Sequence, residues 1–310
     1  MEQTSNNVIA SDEVARQSQP KEFVLLDSLK YKYDSCGNIT EIWENGKLAA
    51  KYTYDKLNRL IREDNKQRYR TLVFTYDNNG NILSKRDVSF TLKDIELFED
   101  NVGAENLYAY SGDRLMAYGN ELCAYDGMGN PKVYRKKSCS WEKGRQLVSY
   151  DGNTFAYDGQ GRRITKNGIS YTYDSNGNLL KQTDGANTLE FIYDDSGVVG
   201  VKYDSETYVY RKNAQGDIIA ILDSVGTVVV KYVYDAWGNH DVHLLKQVYA
   251  SEQSTHIGYL NPFRYRGYYY DTETKLYYLK TRYYDPVVGR FITIDDLSYI
   301  DPETINGLNL

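Results

Sequence analysis

Tyr171-Thr172-Tyr173-Asp174-Ser175-Asn176-Gly177-Asn178-Leu179-Leu180-Lys181-Gln182-Thr183-Asp184-Gly185 decides the fold. Two rings stand two residues apart at its start. Residues i and i+2 of a strand face the same side, whereas a helix would bring i+3 and i+4 together. Asp174 then opens a turn: its carboxylate can bond the backbone two residues on, and Gly177 tolerates the positive φ that follows. A second strand starts at Leu179 and meets Asp184-Gly185, and the chain returns through Thr188-Leu189-Glu190-Phe191-Ile192-Tyr193. The unit is one β-hairpin of about 20 residues.

The same unit recurs. It stands at Tyr33-Asp34 with Gly37-Asn38, at Tyr76-Asp77 with Gly80-Asn81, at Tyr125-Asp126 with Gly129-Asn130, and at Tyr234-Asp235 with Gly238-Asn239. Looser copies start at Tyr54-Asp55, Tyr157-Asp158 and Tyr193-Asp194, and Tyr210, ahead of Gly216-Asp217-Ile218, reads as a copy without its Asp. Two residues before the motif tyrosine the sequence is usually aromatic, as in Tyr31/Tyr33, Phe74/Tyr76, Phe155/Tyr157, Tyr208/Tyr210 and Tyr232/Tyr234. Asn45-Gly46 and Asn167-Gly168 are two-residue hairpin signals. A single hairpin is marginal in water, so successive hairpins are expected to stack into one long twisted sheet that curls beyond about ten strands. The fold class is all-β.

Composition agrees with that reading. Among 310 residues there are 32 Tyr, 8 Phe, 24 Gly and only 5 Pro. Aromatic side chains fit a pleated, half-buried surface, and Gly with Asn and Asp supplies turns. A net charge of −6 argues against a general nucleic-acid binder. No stretch reaches the roughly 20 apolar residues needed to span a bilayer, and residues 1–20 lack the apolar segment of a secretory signal. Cys36, Cys123 and Cys139 are too few, and odd in number, for a disulfide framework.

The readings that would carry chemistry are thin. His240, Asp241 and His243 lie close in sequence, with His256 beyond them, but a metal needs further ligands in space, so a solvated loop is expected. Asp77-Asn78-Asn79-Gly80 has its Gly at the fourth position, whereas a calcium loop needs it at the sixth. No pair of carboxylates is marked out for glycoside hydrolysis. Arg264, Arg266, Lys280, Arg282 and Arg290 form a basic, tyrosine-rich cluster that could stack on bases or sugars or form cation–π pairs within a sheet, and the structural role is preferred. Neither a cofactor nor a metal is expected.

The C-terminal quarter is the most specific part. Residues 261–295 run from Asn261-Pro262-Phe263-Arg264 through Tyr270-Asp271 to Arg282-Tyr283-Tyr284-Asp285-Pro286-Val287-Val288-Gly289-Arg290-Phe291 and Asp295. With the Tyr-Asp repeats this stretch closely resembles the RHS repeat-associated core of bacterial RHS proteins, wall-associated proteins and insecticidal toxin-complex C subunits, with a related shell in teneurins. Lys275 departs from the family, which usually has Gly there. The resemblance implies a cocoon of hairpins closed at one end by the core module, holding a C-terminal polymorphic toxin made in the same chain. It implies an aspartyl autoprotease built from the core, for which Asp295 is the matching candidate. Because the chain stops at Gly307-Leu308-Asn309-Leu310, the cleavage segment and toxin are expected to be missing and no enzyme is expected.

The expected organisation is a disordered segment over 1–25, hairpin repeats over 26–240, a surface loop over 241–260 and a truncated core module over 261–310. The expected partners are the rest of the shell and its toxin, in a secreted or cell-wall-associated protein. The contrasting reading is an adhesion module that grips a cell-surface glycan, which a glycan-binding assay would separate from a container.

Overall fold

The structure is a computed structural model that describes residues 2–6, 28–94, 104–245 and 254–293, the first of these as backbone only. The chain divides into two units, residues 1–106 and 107–310. In the first unit the strands Ser28–Tyr33, Ile39–Glu44, Lys47–Tyr54, Leu60–Asn65, Arg70–Tyr76 and Ile82–Ser89 each pair antiparallel with the next. Residues Glu2–Asn6 pair along Ser28–Tyr33. The expectation of disorder therefore fails there, because an edge strand offers backbone partners to a polar segment that has no hydrophobic period. The rest of that expectation, residues 7–25, lies outside the described residues.

In the second unit fourteen described strands, from Ala124–Tyr125 to His240–Leu244, pair in sequence order, and the first does not meet the last. A separate four-stranded sheet follows: Tyr269–Asp271, Leu276–Tyr278, Tyr283–Asp285 and Arg290–Phe291. The expected surface loop over 241–260 is overturned on both sides. His240–Leu244 is the last strand of the long sheet, and Ile257–Leu260 is a short helix whose Ile257 is buried. Val242 and Leu244 alternate with polar residues just after the Tyr234-to-Asn239 turn, but His240 stands where most copies carry an aliphatic residue.

Most motif turns are built alike, although the Tyr193-Asp194 copy turns over two residues, with Asp194 Oδ1 accepting from the Ser196 N–H. Asp174 Oδ1 accepts from the Asn178 N–H at 2.8 Å, and its Oδ2 accepts from Asn178 Nδ2 at 2.9 Å. Asp34 with Asn38, Asp77 with Asn81, and Asp235 with Asn239 repeat the arrangement. In Asp55-to-Arg59 and Asp158-to-Arg162 a guanidinium takes the place of the amide. Gly177 holds φ +77°, with Gly37, Gly80 and Gly238 at similar values, which is where a side chain would be strained. Beyond most of these turns, though not that at Asp235, the register slips by one. Tyr173 pairs with Leu179 while Thr172 pairs with Lys181, so Leu180 is an extra, exposed residue. Tyr33, Tyr76 and Tyr157 mark the same bulge.

The tyrosine hydroxyl of the next repeat bonds the carbonyl at the bulge, where the ladder is locally disrupted. Tyr54 donates to Ile39 O, Tyr76 to Leu60 O, Tyr157 to Leu147 O, Tyr173 to Arg163 O, Tyr193 to Leu179 O and Tyr234 to Ile218 O, all within 2.6–3.1 Å. The rings two residues upstream are the core: Tyr31, Phe74, Phe155, Tyr171, Phe191 and Tyr232 are all buried. One copy departs from the expected arrangement. Its turn is Asn213 to Asp217, with the two side chains exchanged in role, and the register slip falls at Lys212. Tyr210 therefore occupies the buried upstream position, its hydroxyl on Asn261 Oδ1 at 2.6 Å, and Tyr208/Tyr210 is not the ring pair of a motif.

Candidate functional site

Residues 254–293 are seated on the buried-ring face of the long sheet, within the second unit. Tyr171 and Tyr269 meet edge to face with their hydroxyls 3.2 Å apart, and Phe191 meets Phe263 in the same way at 4.8 Å. Tyr157 and Tyr283 share a 2.8 Å hydroxyl contact, and Phe155 lies against the Tyr283 ring. Tyr232 donates to Gly258 O, and Tyr277 donates to Gly238 O. Four upstream rings of the second unit, Phe155, Tyr171, Phe191 and Tyr232, thus find their neighbours in the C-terminal module. Edge-to-face pairs of this kind add roughly 0.5–1.5 kcal/mol each beyond the area they bury.

At the centre is a buried ion cluster. Arg163, 1% exposed, grips Asp271, 0% exposed, through two bonds of 2.6 and 2.9 Å. Lys166 adds 3.0 Å to Asp271 Oδ1 and 2.7 Å to Glu273. The rings of Phe155, Tyr171, Tyr269, Tyr278 and Tyr283 surround the guanidinium at 4.2–6.0 Å. Burial by itself would raise the Asp271 carboxyl, but Arg163 and then Lys166 outweigh it and hold it below its ordinary value. Such a pair is costly to bury and still costlier to break, because removing one charge strands the other. A second bridge has the same form: Arg135 Nη1 meets Asp285 Oδ2 at 2.8 Å and also holds Glu121.

Two glycines make the close approach. A Cβ on Gly238 would lie 2.7 Å from the Tyr265 ring, and one on Gly289 would lie 2.9 Å from Trp237, each at a positive φ. The remaining residues of the C-terminal motif sit around them. Asn239 Nδ2 donates to Pro286 O, Tyr284 donates to Trp237 O, and Arg290 donates to Asp113 O. Arg282 stacks on Phe291 at 3.8 Å. The basic cluster is therefore dispersed. Arg264 is buried between Tyr232 and Tyr270, Arg266 reaches Gln215 O beside Asp217, and Arg290 lies over Tyr110.

His240 is not in a solvated loop. Its ring lies edge to face on Tyr270, beside Tyr277, with Nε2 against Arg264 Nη1. His256 caps the Ile257–Leu260 helix through the Gly258 N–H. Cys36 is exposed, Cys123 and Cys139 are buried, and none is in a disulfide. Asp295, the candidate for self-cleavage, lies outside the described residues.

The sequence reading missed Arg163, Lys166 and Arg135. A signal for Arg163 was present: it stands where the other copies carry Ile39, Ile82, Leu179 or Ile218, so a cation occupies a core position and requires a buried carboxylate. Nothing local named Asp271 as that partner, 108 residues further on.

A family model described as "Teneurin YD-shell" matches residues 1–96, and a "MORN repeat variant" model matches residues 166–185, about one hairpin. The tRNA nuclease WapA of Bacillus subtilis (strain 168) is 36% identical over 257 residues, covering 78% of this chain and 10% of that protein. Teneurin-1 of Gallus gallus is 26% identical over 276 residues, covering 85% of this chain and 9% of that protein. The chain thus spans about a tenth of the length of these relatives. Among solved structures, that titled "Crystal Structure of TcdB2-TccC3" superposes with a TM-score of 0.64 at 20% identity, over 94% of this chain and 17% of that one, a likeness of fold. A Tyr-Asp hairpin sheet, its seated C-terminal module and these relatives together make the chain an RHS-type YD-shell segment, a member of the RHS/YD-repeat family.

Proposed function

We propose that the chain is a structural part of a toxin container, in which the hairpin sheet forms wall and residues 254–293 close it. The observation that carries this is the seat itself. Seven aromatic residues from the two sides and a buried Arg163–Asp271 pair are committed to fastening the module on the sheet. Among the described residues no group of three or more His, Cys, Asp and Glu side chains is placed to hold a metal. The buried charges of the seat are spent on one another. The partners on this reading are the rest of the shell and a toxin carried in the same polypeptide, in a secreted or wall-associated protein of bacterial competition. No catalytic role is assigned to this segment, and no described helix is long and apolar enough to cross a membrane.

The test is protease challenge of the complete reading frame. A container predicts that the C-terminal polypeptide survives while the shell is intact and is digested after Arg163→Met loosens the seat. Equal digestion in both proteins sinks the proposal. Should the complete protein cut itself, an Asp295→Asn variant that still does so removes Asp295 from that role.

A further inference from the structure

Two of the chain's three histidines act as proton-free acceptors where the C-terminal module meets the last strands of the long sheet. A guanidinium can only donate, so the contact of Arg264 Nη1 with His240 Nε2 leaves that nitrogen without a proton. The other ring nitrogen, Nδ1, lies 3.2 Å from the Tyr277 hydroxyl. His256 Nδ1 also accepts, from the Gly258 N–H at 3.1 Å, where the Ile257–Leu260 helix begins. Gly258 is pressed onto the sheet: a Cβ there would lie 2.9–3.1 Å from Leu244 and Val230. The two imidazoles belong to one chain of contacts. Tyr232 donates to Gly258 O at 2.8 Å, and its ring carries the Arg264 guanidinium at 5.3 Å.

A proton breaks both contacts. On His240 it would set an imidazolium against the guanidinium of buried Arg264, two like charges out of water. The rings that face His240 are phenols, Tyr232 and Tyr234 from the neighbouring strand and Tyr270 and Tyr277 from the module. Asp241 and His243, at odd spacing from it, lie on the opposite face of the strand. On His256 a proton turns the cap's acceptor into a donor that faces the Gly258 N–H. Burial already holds the His256 ring below its ordinary value. Glu206 and Asp223 line the cavity beside it, with Tyr208, and would draw an imidazolium off the cap. We propose that His240 and His256 form an acid-released latch: in mildly acidic solution residues 256–264 let go of Val228–Tyr234 and His240–Leu244, while the Arg163–Asp271 seat still holds. The latch does not rest on the container reading, and its readout is separate from the protease challenge.

Hydrogen exchange on the full chain between pH 7.5 and pH 5 tests it, each amide corrected for the intrinsic pH dependence of exchange. Release takes up a proton at each histidine. Protection of the Gly258, Leu260 and Asn261 amides should therefore fall below about pH 6.5, by up to about tenfold per pH unit for each ring, while Ile169–Tyr173 stays protected. His240→Gln and His256→Asn keep an acceptor oxygen and do not titrate, so the double variant should hold its protection across the range. His243→Gln, on the exposed opposite face, should keep the fall of the parent. Imidazole ¹⁵N shifts of the parent at pH 7.5 should show an unprotonated Nε2 in His240 and an unprotonated Nδ1 in His256. If the double variant does not fold, these shifts decide alone. Level protection in the parent, an equal fall in the folded double variant, or a proton on either of those nitrogens at pH 7.5 overturns the proposal.

Discussion

Seven motif tyrosines, among them Tyr54, Tyr173 and Tyr193, each tie two repeats together through one hydroxyl. Burial raises these phenols, to about 12 for Tyr54 and Tyr193, so they remain donors throughout the physiological range. Tyr173→Phe should cost about 1 kcal/mol in urea unfolding, since Arg163 O loses its donor. A loss below a few tenths would mean that water replaces it freely. Gly177→Ala should cost a similar ~1 kcal/mol for a different reason. Its Cβ would meet only Lys280 Nζ at 3.9 Å, so the cost comes from φ +77° alone. The thiols form a third case at this scale. Burial pushes Cys139 up to about 12 and raises Cys123 as well, whereas Cys36 is exposed. Ellman's reagent at pH 8 should therefore titrate one thiol quickly in the native protein and all three only in denaturant. Two fast thiols would contradict the burial.

At the scale of elements, the hairpin was legible from the sequence because strand period, turn residues and bulge recur with the same spacing. What failed to show were elements that depart from the motif. His240–Leu244 follows the Tyr234-to-Asn239 turn but opens on His where most copies have an aliphatic residue, and in the copy at Asn213 the roles of Asp and Asn are exchanged. The seat was hidden because its partners are about 100 residues apart, and spacing along the chain cannot pair Arg163 with Asp271. Arg163→Met should cost about 3 kcal/mol, the low end for breaking a buried pair, because Lys166 still faces Asp271. Adding Asp271→Leu should recover part of that loss. The pair also gives acid sensitivity. The folded Asp271 carboxyl titrates below its unfolded value, so its stabilisation is complete above about pH 4 and disappears as the pH falls through the lower folded value. Urea melts between pH 5 and pH 2 should show a shallower loss of stability for Asp271→Asn than for the parent. Equal slopes would place the acid transition elsewhere.

At the scale of the molecule, family and fold class were readable because the C-terminal motif and the repeats point to one architecture. The place of residues 254–293 was not, since a motif fixes local turns and leaves open which face they cover. The ring face of the long sheet proves to be filled by this chain's own module. Hydrogen exchange on the intact chain tests that most directly. The amides of Leu276–Tyr278 and Tyr283–Asp285 should exchange as slowly as those of Ile169–Tyr173, and Arg163→Met should speed all three together. Fast exchange of the two module strands while Ile169–Tyr173 stays protected would show a module that is not seated on the sheet, and would contradict the account.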